Sequence, residues 1–328
     1  MSDKITVTLY QIEMRSKQAL TAHGASSTVA ASVASAIREA EARGNLICGL
    51  YYLDSYCTHL RTGRVLGDAT PKVSRPKPGT VQVNAGFGFA QPAFDAGLAE
   101  AVEATRTQGV AALSIHHSHT CTSMGYFTEI LARNGLIAIG MTNAPACVAP
   151  PGGSVPVLGT NPISMAVPDG SGGIAMLFDQ STSATAIGKV RVAAAKGETV
   201  PDGWIVDADG APTTDPTQMA SLVSSGGYKG YGFGLMAEIL AAALTGSVLS
   251  KDAAPLKAPD GPHHDLGQLY LLIDPGSYDQ GFIRQINALA SAIEAQDGAR
   301  MPGRGKILPE EVCIDAELWR SVETLAQV

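Results

Sequence analysis

The chain has 328 residues, 45% hydrophobic, 16% charged and 5% aromatic, with 36 glycines and a formal net charge of −7. That composition excludes a disordered tail, a collagen-like repeat and a disulfide scaffold. Lys and Arg are scattered through a mildly acidic chain, which argues against a nucleic-acid partner.

The length calls for two domains or one large interwoven unit, at roughly 150 residues per domain. Cys48, Cys57, Cys121, Cys147 and Cys313 form no CxxC pair, as expected of buried thiols in a reducing cytoplasm. The opening MSDKITVTLY lacks an apolar signal core. The apolar stretch 232–249 contains Glu238 and reads as a buried helix, not a membrane span. The expectation is a cytoplasmic protein with no membrane partner.

In chain order, the pattern predicts a helix over 28–43 that stops at Gly44, then an amphipathic helix over 50–60. The segment 71–79, PKVSRPKPG, reads as an extended connector and a domain boundary. A short strand over 81–83, a Gly-rich turn (NAGFGFAQ) and a helix from Pro92 to about Gln108 follow. A strand over 109–115, a polar loop from His116, a helix over 125–133 and a strand over 135–142 make a βαβ unit. Further strands are expected at 163–167, 174–178 and 268–273, and helices at 226–249 and 280–296.

His116, His117 and His119 follow the strand end inside that unit, where open α/β sheets place ligands. An imidazole there suits acid/base chemistry or cofactor contact; a polar loop with one bonded histidine is the plain alternative. Zinc is disfavoured, because three histidines within four residues do not converge on one ion without strain. The turn Gly159-Thr160-Asn161-Pro162 offers a hydroxyl and an amide to a ligand carboxylate. Gly226-Gly227-Tyr228-Lys229-Gly230 opens a helix and suits phosphate without being a Walker motif, and Arg300 to Lys306 is a basic turn. No GxGxxG follows a strand, so a Rossmann fingerprint is absent.

Taken together, NAGFGFAQPA, the SHT loop, VAPPGGSVPVLGTNPI, FDQSTSATAIGKV, PDGWIVDADGAPTTDP, GGYKG and MPGR resemble the type 2 malate/L-lactate dehydrogenase family in content and order over about residues 5–310. That family includes sulfolactate dehydrogenases, ureidoglycolate dehydrogenase and the Δ1-piperideine-2-carboxylate/Δ1-pyrroline-2-carboxylate reductases. The resemblance implies an α/β, non-Rossmann fold: a mixed central sheet in a cofactor-binding domain (75–276), and a helical domain from both termini (1–74 with 277–328). It implies hydride exchange between NAD or NADP and a small 2-oxo acid, in a homodimer. The basic loop at Arg304 leans towards NADP.

By the same resemblance His119 is acid/base or substrate ligand, Thr160 contacts substrate, and Thr120, Cys121, Thr122 and Ser123 contact cofactor. So do Asp179, Gln180, Ser181, Gly227, Tyr228, Met301, Pro302, Gly303 and Arg304. No metal is implied. Three positions depart from the family pattern. Ile47 and Cys48 stand where it has serine and the proton-donating histidine, and Tyr52 stands near its carboxylate-binding arginine. Cys48 is then a second candidate proton donor, and Tyr52 a substrate contact. Lys189 stands where the imino-acid reductases have aspartate, as in the 2-hydroxyacid members. The alternatives are a cyclic imino-acid reductase and a cofactor-binding homologue without catalysis.

Overall fold

The computed structural model describes residues 3–327. The chain begins with β1 (Lys4–Thr8), α1 (Leu9–Ala22), α2 (Ser27–Ala42) and α3 (Leu53–Thr62). It continues with β2 (Lys72–Lys77), β3 (Thr80–Asn84), α4 (Ala90–Gln108), β4 (Val110–Ser118), α5 (Met124–Arg133) and β5 (Ile137–Thr142). β6 (Ile163–Pro168), β7 (Ile174–Gln180), α6 (Ile187–Lys196) and the short β8 (Ile205–Val206), β9 (Pro212–Thr213) and β10 (Ser221–Leu222) follow. α7 (Tyr228–Glu238), β11 (Leu266–Ile273), α8 (Phe282–Glu294), β12 (Glu311–Asp315) and α9 (Ala316–Leu325) complete it.

Among the described residues the main sheet has seven strands in the order β2-β3-β4-β11-β5-β6-β7. β3 and β4 are parallel; every other neighbouring pair is antiparallel. β4 and β5 therefore run the same way, as a crossover through α5 requires, but β11 lies between them. The fold is mixed α/β and not Rossmann. Its core packs α4 and α5 on the sheet, with Phe94 edge-on to Phe127 and Tyr270 at centroid distances of 4.9 and 5.4 Å. Each such burial is worth about 1.5–3 kcal/mol.

The two ends of the chain share a second core. Ile12, Leu20, Val33, Ile37, Leu53 and Tyr56 pack with Ile314, Trp319 and Val322. β1 pairs antiparallel with β12 from Lys4↔Asp315 to Thr8↔Glu311. The helix predicted over 28–43 forms as α2, with Ser26 as N-cap and Gly44 at φ +73°. Among the described residues no helix is long and apolar enough to cross a membrane.

Three local readings change. Residues 71–79 are not a connector: β2 pairs with β3 and forms the sheet edge, where Pro76 and exposed charges are tolerated because nothing pairs beyond them. The strand read as ending before His116 continues through Ser118, because the Gly-rich turn pairs alongside it. Ala85 and Phe87 N–H donate to the carbonyls of His116 and His117 at 3.0 and 2.7 Å. The helix expected to be buried over 226–249 is α7 running into a π-helical stretch, Ile239–Ala243. Its inner face is small (Ala237, Ala241, Ala242), whereas Phe233 and Ile239 are 57% exposed and Leu244 64%. An all-round apolar pattern resembles a buried helix even when one face is open.

Candidate active site

A cleft of about 540 Å³ opens where the terminal helices meet the carboxyl ends of the sheet strands. That lies within the range of about 300–1,000 Å³ common for ligand sites. Of the residues expected to contact substrate or cofactor, Cys48, Tyr52, Thr120, Cys121, Thr122, Thr160, Asp179, Gln180 and Ser181 line it. Ile47, Asn143 and Lys189 join them.

Cys48 reaches the cleft from a 3-10 turn, Leu46–Cys48, held by a buried carboxylate. Glu41 on α2 accepts a bond from Leu50 N–H at 2.8 Å. A Cβ on Gly49 would lie 2.1 Å from Glu41 Oε1, so that turn requires glycine. Burial pushes the Glu41 carboxyl upward, against the opposing Leu50 bond. Burial, with Asp179 adding repulsion, pushes the Cys48 thiol up to about 12, so it is protonated at neutral pH. Desolvation also raises Tyr52, with Cys48 and Tyr51 adding to it and Arg191 opposing.

Asp179, next to the last residue of β7, completes the start of α5, whose N-cap residue Ser123 makes no capping bond of its own. Asp179 Oδ2 accepts from Ser123 Oγ at 3.0 Å and from Gly125 N–H at 2.8 Å. Desolvation raises its pKa and these bonds oppose the rise. Ser123 therefore acts through Asp179 and not as a cleft-lining group.

The GTNP turn is built by close approach. A Cβ on Gly159 would lie 2.1 Å from the Ala144 carbonyl oxygen, and Asn161 adopts φ +32°. Asn161 Nδ2 donates to Glu238 Oε2 at 2.7 Å and to the Gly234 carbonyl at 3.2 Å; its Oδ1 accepts from Ala144 N–H at 3.2 Å. Glu238 also accepts from Ser250 N–H at 2.6 Å and Ser250 Oγ at 2.5 Å. This buried carboxylate fixes Thr160 on the cleft wall. In the sequence it looks like a lone charge in an apolar helix.

His119 lies behind that wall, one residue from the cleft-lining Thr120. Its side chain is buried among Tyr56, Phe89, His59 and His264, with ring centroids 4.2–5.5 Å away. His117 is elsewhere, bonded through Nδ1 to Asp265 at 2.7 Å. Burial, then His264 and His59, push His119 well below the usual histidine range, so it is neutral. Burial and then Arg64 lower His264 to about 3.

A base whose folded pKa lies below its unfolded value costs stability as pH falls between the two, because the unfolded chain then binds the extra proton. His264→Gln is expected to gain stability relative to the parent as pH falls from 6 to 4, because the parent's unfolded chain takes up a proton that its folded state excludes. Urea unfolding at the two pH values measures this, and an unchanged difference would contradict it.

The other expected contacts are dispersed. Gly303 lines a second cavity, of about 270 Å³, with Arg43, Arg133 and Lys306. The Pro302 carbonyl accepts from Leu177 N–H at 2.9 Å, so this cavity and the cleft adjoin along β7. Met301 is buried, and Arg304 lies 3.8 Å from Glu294. Desolvation, then Arg43 and Arg300, lower Lys306, whose cavity also holds Glu129 and Asp169. Gly227 lines a separate cavity of about 120 Å³, and Tyr228 is 73% exposed.

Lys189 lines the cleft, and the Lys257 ammonium sits 3.5 Å above the Tyr51 ring and 5.6 Å from the cleft-lining Tyr52.

A sequence profile of the family described as malate/L-lactate dehydrogenase matches residues 7–314. The chain is 38% identical over 299 residues to a (2R)-3-sulfolactate dehydrogenase (NADP(+)) of Chromohalobacter salexigens, covering 90% of this chain and 89% of that one. It is 38% identical over 294 residues to a Δ1-pyrroline-2-carboxylate/Δ1-piperideine-2-carboxylate reductase of Pseudomonas putida, covering 88% and 86%. The crystal structure of Δ1-piperideine-2-carboxylate reductase from Pseudomonas syringae superposes with a TM-score of 0.88 at 32% identity, covering 98% and 99%.

Proposed function

The chain belongs to the malate/L-lactate dehydrogenase family, and on that premise we propose that it is an NAD(P)-dependent oxidoreductase interconverting a small 2-oxo acid and its 2-hydroxy acid in the cleft around Cys48, Thr160 and Asp179. The observation that carries the substrate class is Lys189, an ammonium on the cleft wall that suits an anionic oxo acid and disfavours the added positive charge of a protonated imine.

Bound in the cleft, a nicotinamide cofactor supplies the hydride. Hydroxyls of Thr120, Thr122 and Ser181 and the Asp179 carboxylate are the groups that would hold its polar edges. Arg43 and Lys306 of the adjoining cavity are the cations that would meet the extra phosphate of NADP. Thr160 orients the substrate carbonyl, and Lys189 neutralises its carboxylate. Of the two candidate donors Cys48 lines the cleft, so its Sγ–H gives the proton to the carbonyl oxygen and the thiolate is reprotonated from water. An alkoxide is a far stronger base than a thiolate, even one with a pKa of about 12, so the transfer is downhill. His119 is a positioning residue that packs behind Thr120.

A second reading, reduction of a cyclic imino acid, is favoured by Asp179, a carboxylate on the cleft able to face an iminium. Homodimer formation through the exposed face of α7 and a cytoplasmic location complete the proposal.

NADPH consumption with pyruvate, oxaloacetate and sulfopyruvate, against Δ1-pyrroline-2-carboxylate, tests the reading. Turnover of an oxo acid is expected. Turnover of the imine alone would replace it with the second reading, and cofactor binding without turnover of either would leave a non-catalytic homologue. Lys189→Met is expected to raise KM for the oxo acid about 10- to 100-fold with kcat nearly unchanged, the signature of lost uniform binding. An unchanged KM would remove Lys189 from the site.

A further inference from the structure

His59, His119 and His264 come from the last turns of α3, the residue after β4 and the loop before β11. Each is about 1% exposed, and each offers a ring nitrogen within 4.8 Å of the others. His59 Nε2 lies 2.9 Å from the Ala258 carbonyl and must carry the proton. Its Nδ1 then presents a lone pair to His119 Nε2 at 3.0 Å. The ring nitrogens of His264 are stranded: neither Nδ1 nor Nε2 has a hydrogen-bond partner among the described residues. Buried imidazoles normally find partners, and a His264 with neither nitrogen satisfied departs from that rule.

We propose that these three histidines form a binding site for a late first-row divalent cation such as Zn2+, with His59 Nδ1, His119 Nε2 and one nitrogen of His264 as ligands. Nitrogens bound to one tetrahedral ion stand about 3.3 Å apart, so the His59–His119 pair needs to open by a few tenths of an ångström. The His59 Nε2–H bond to a backbone carbonyl is the outer support that fixes a metal-ligating imidazole and its tautomer. Binding requires His119 to carry its proton on Nδ1 rather than Nε2.

Charge narrows the choice of ion. Among the described residues no carboxylate joins the three ligands, and the buried Arg64 guanidinium lies 3.3 Å from His59 Nε2. Hard cations that require oxygen ligands, Mg2+ and Ca2+, are excluded, while an imidazole-preferring ion with water or hydroxide as fourth ligand fits. The ion would fasten the loop at 255–264 to α3 and β4. That loop already docks there through Arg64 on the Pro262 carbonyl at 3.2 Å and Thr62 on the Pro259 carbonyl at 2.9 Å. It carries Leu256 to the cleft wall, so the site is a structural clamp beside the cleft and stands independently of the redox reading.

The test titrates the chelator-treated full chain with Co2+ and then Zn2+. One Co2+ per chain with visible tetrahedral absorption and no thiolate charge-transfer band is expected, displaced by Zn2+, with a raised Tm. His264→Gln is expected to weaken binding at least about 100-fold, whereas His263→Gln and His116→Gln bind as the parent. X-ray absorption of the Zn2+-loaded parent is expected to show three imidazoles, which keeps the proposal testable if the His264 variant fails to fold. Absence of stoichiometric binding, a sulfur ligand, fewer than three imidazoles, or full binding by a folded His264→Gln would overturn it.

Discussion

Replacing Cys48 with alanine is expected to lower kcat for oxo-acid reduction by about 10²- to 10³-fold while leaving KM within a few-fold, as loss of a positioned general acid does. Cys48 sits on a turn fixed by Glu41 and Gly49, so removing its sulfur deletes a proton donor without disturbing the wall that holds it. Burial, reinforced by Asp179, pushes the thiol up to about 12. The group stays protonated at every pH below that, and the reduction rate is expected to show no basic limb from this residue between pH 7 and pH 10. Steady-state rates of the parent and the variant across that range check both points. A limb near pH 8.5 would indicate an unshifted thiol, and an alanine variant with full kcat would return the donor role to His119.

Glu238→Ala is expected to destabilise the fold by about 3 kcal/mol, because it leaves three buried donors, Asn161 Nδ2, Ser250 N–H and Ser250 Oγ, short of their acceptor. Some activity is expected to fall before stability does, since Asn161 at φ +32° holds the neighbouring Thr160 in place. Denaturant unfolding measures the first effect, and KM for the oxo acid in the folded variant measures the second. A loss below about 0.5 kcal/mol would mean that water replaces the carboxylate at no cost.

Much of the fold was legible because its signals are local. Ser26 and Gly44 bracket α2, and the apolar runs that become β4, β5, β6 and β11 are short and turn-bounded. What escaped depends on partners distant in sequence. β2 is a strand because β3 pairs with it, not because PKVSRPK prefers to extend. The continuation of β4 through His116 and His117 relies on carbonyls paired with the Gly-rich turn. That turn holds the back of His119, and neither Gly86 nor Gly88 is among the residues lining the cleft.

The site divides in the same way. Cys48, Tyr52, Thr120 to Thr122, Thr160 and Asp179 to Ser181 sit in contiguous motifs, and the chain brings them to one cleft. Glu41 and Glu238 carry no pattern of their own, since each is a single carboxylate whose bonds form only after folding. The histidines illustrate the point most sharply. Of the three neighbouring histidines, His119 turns away from His116 and His117, while His59, His119 and His264, 60 and 145 residues apart, meet in the interior.

The most direct measurement follows the hydride itself. NADPH deuterated at the transferred C4 position is incubated with the purified chain and a 2-oxo acid, and the product is analysed by mass spectrometry. Deuterium is expected at C2 of the 2-hydroxy acid, one atom per molecule and on one face. An unlabelled hydroxy acid, or label appearing solely in a cyclic amino acid when the imine is supplied, would contradict oxo-acid reduction at the cleft around Cys48 and Thr160.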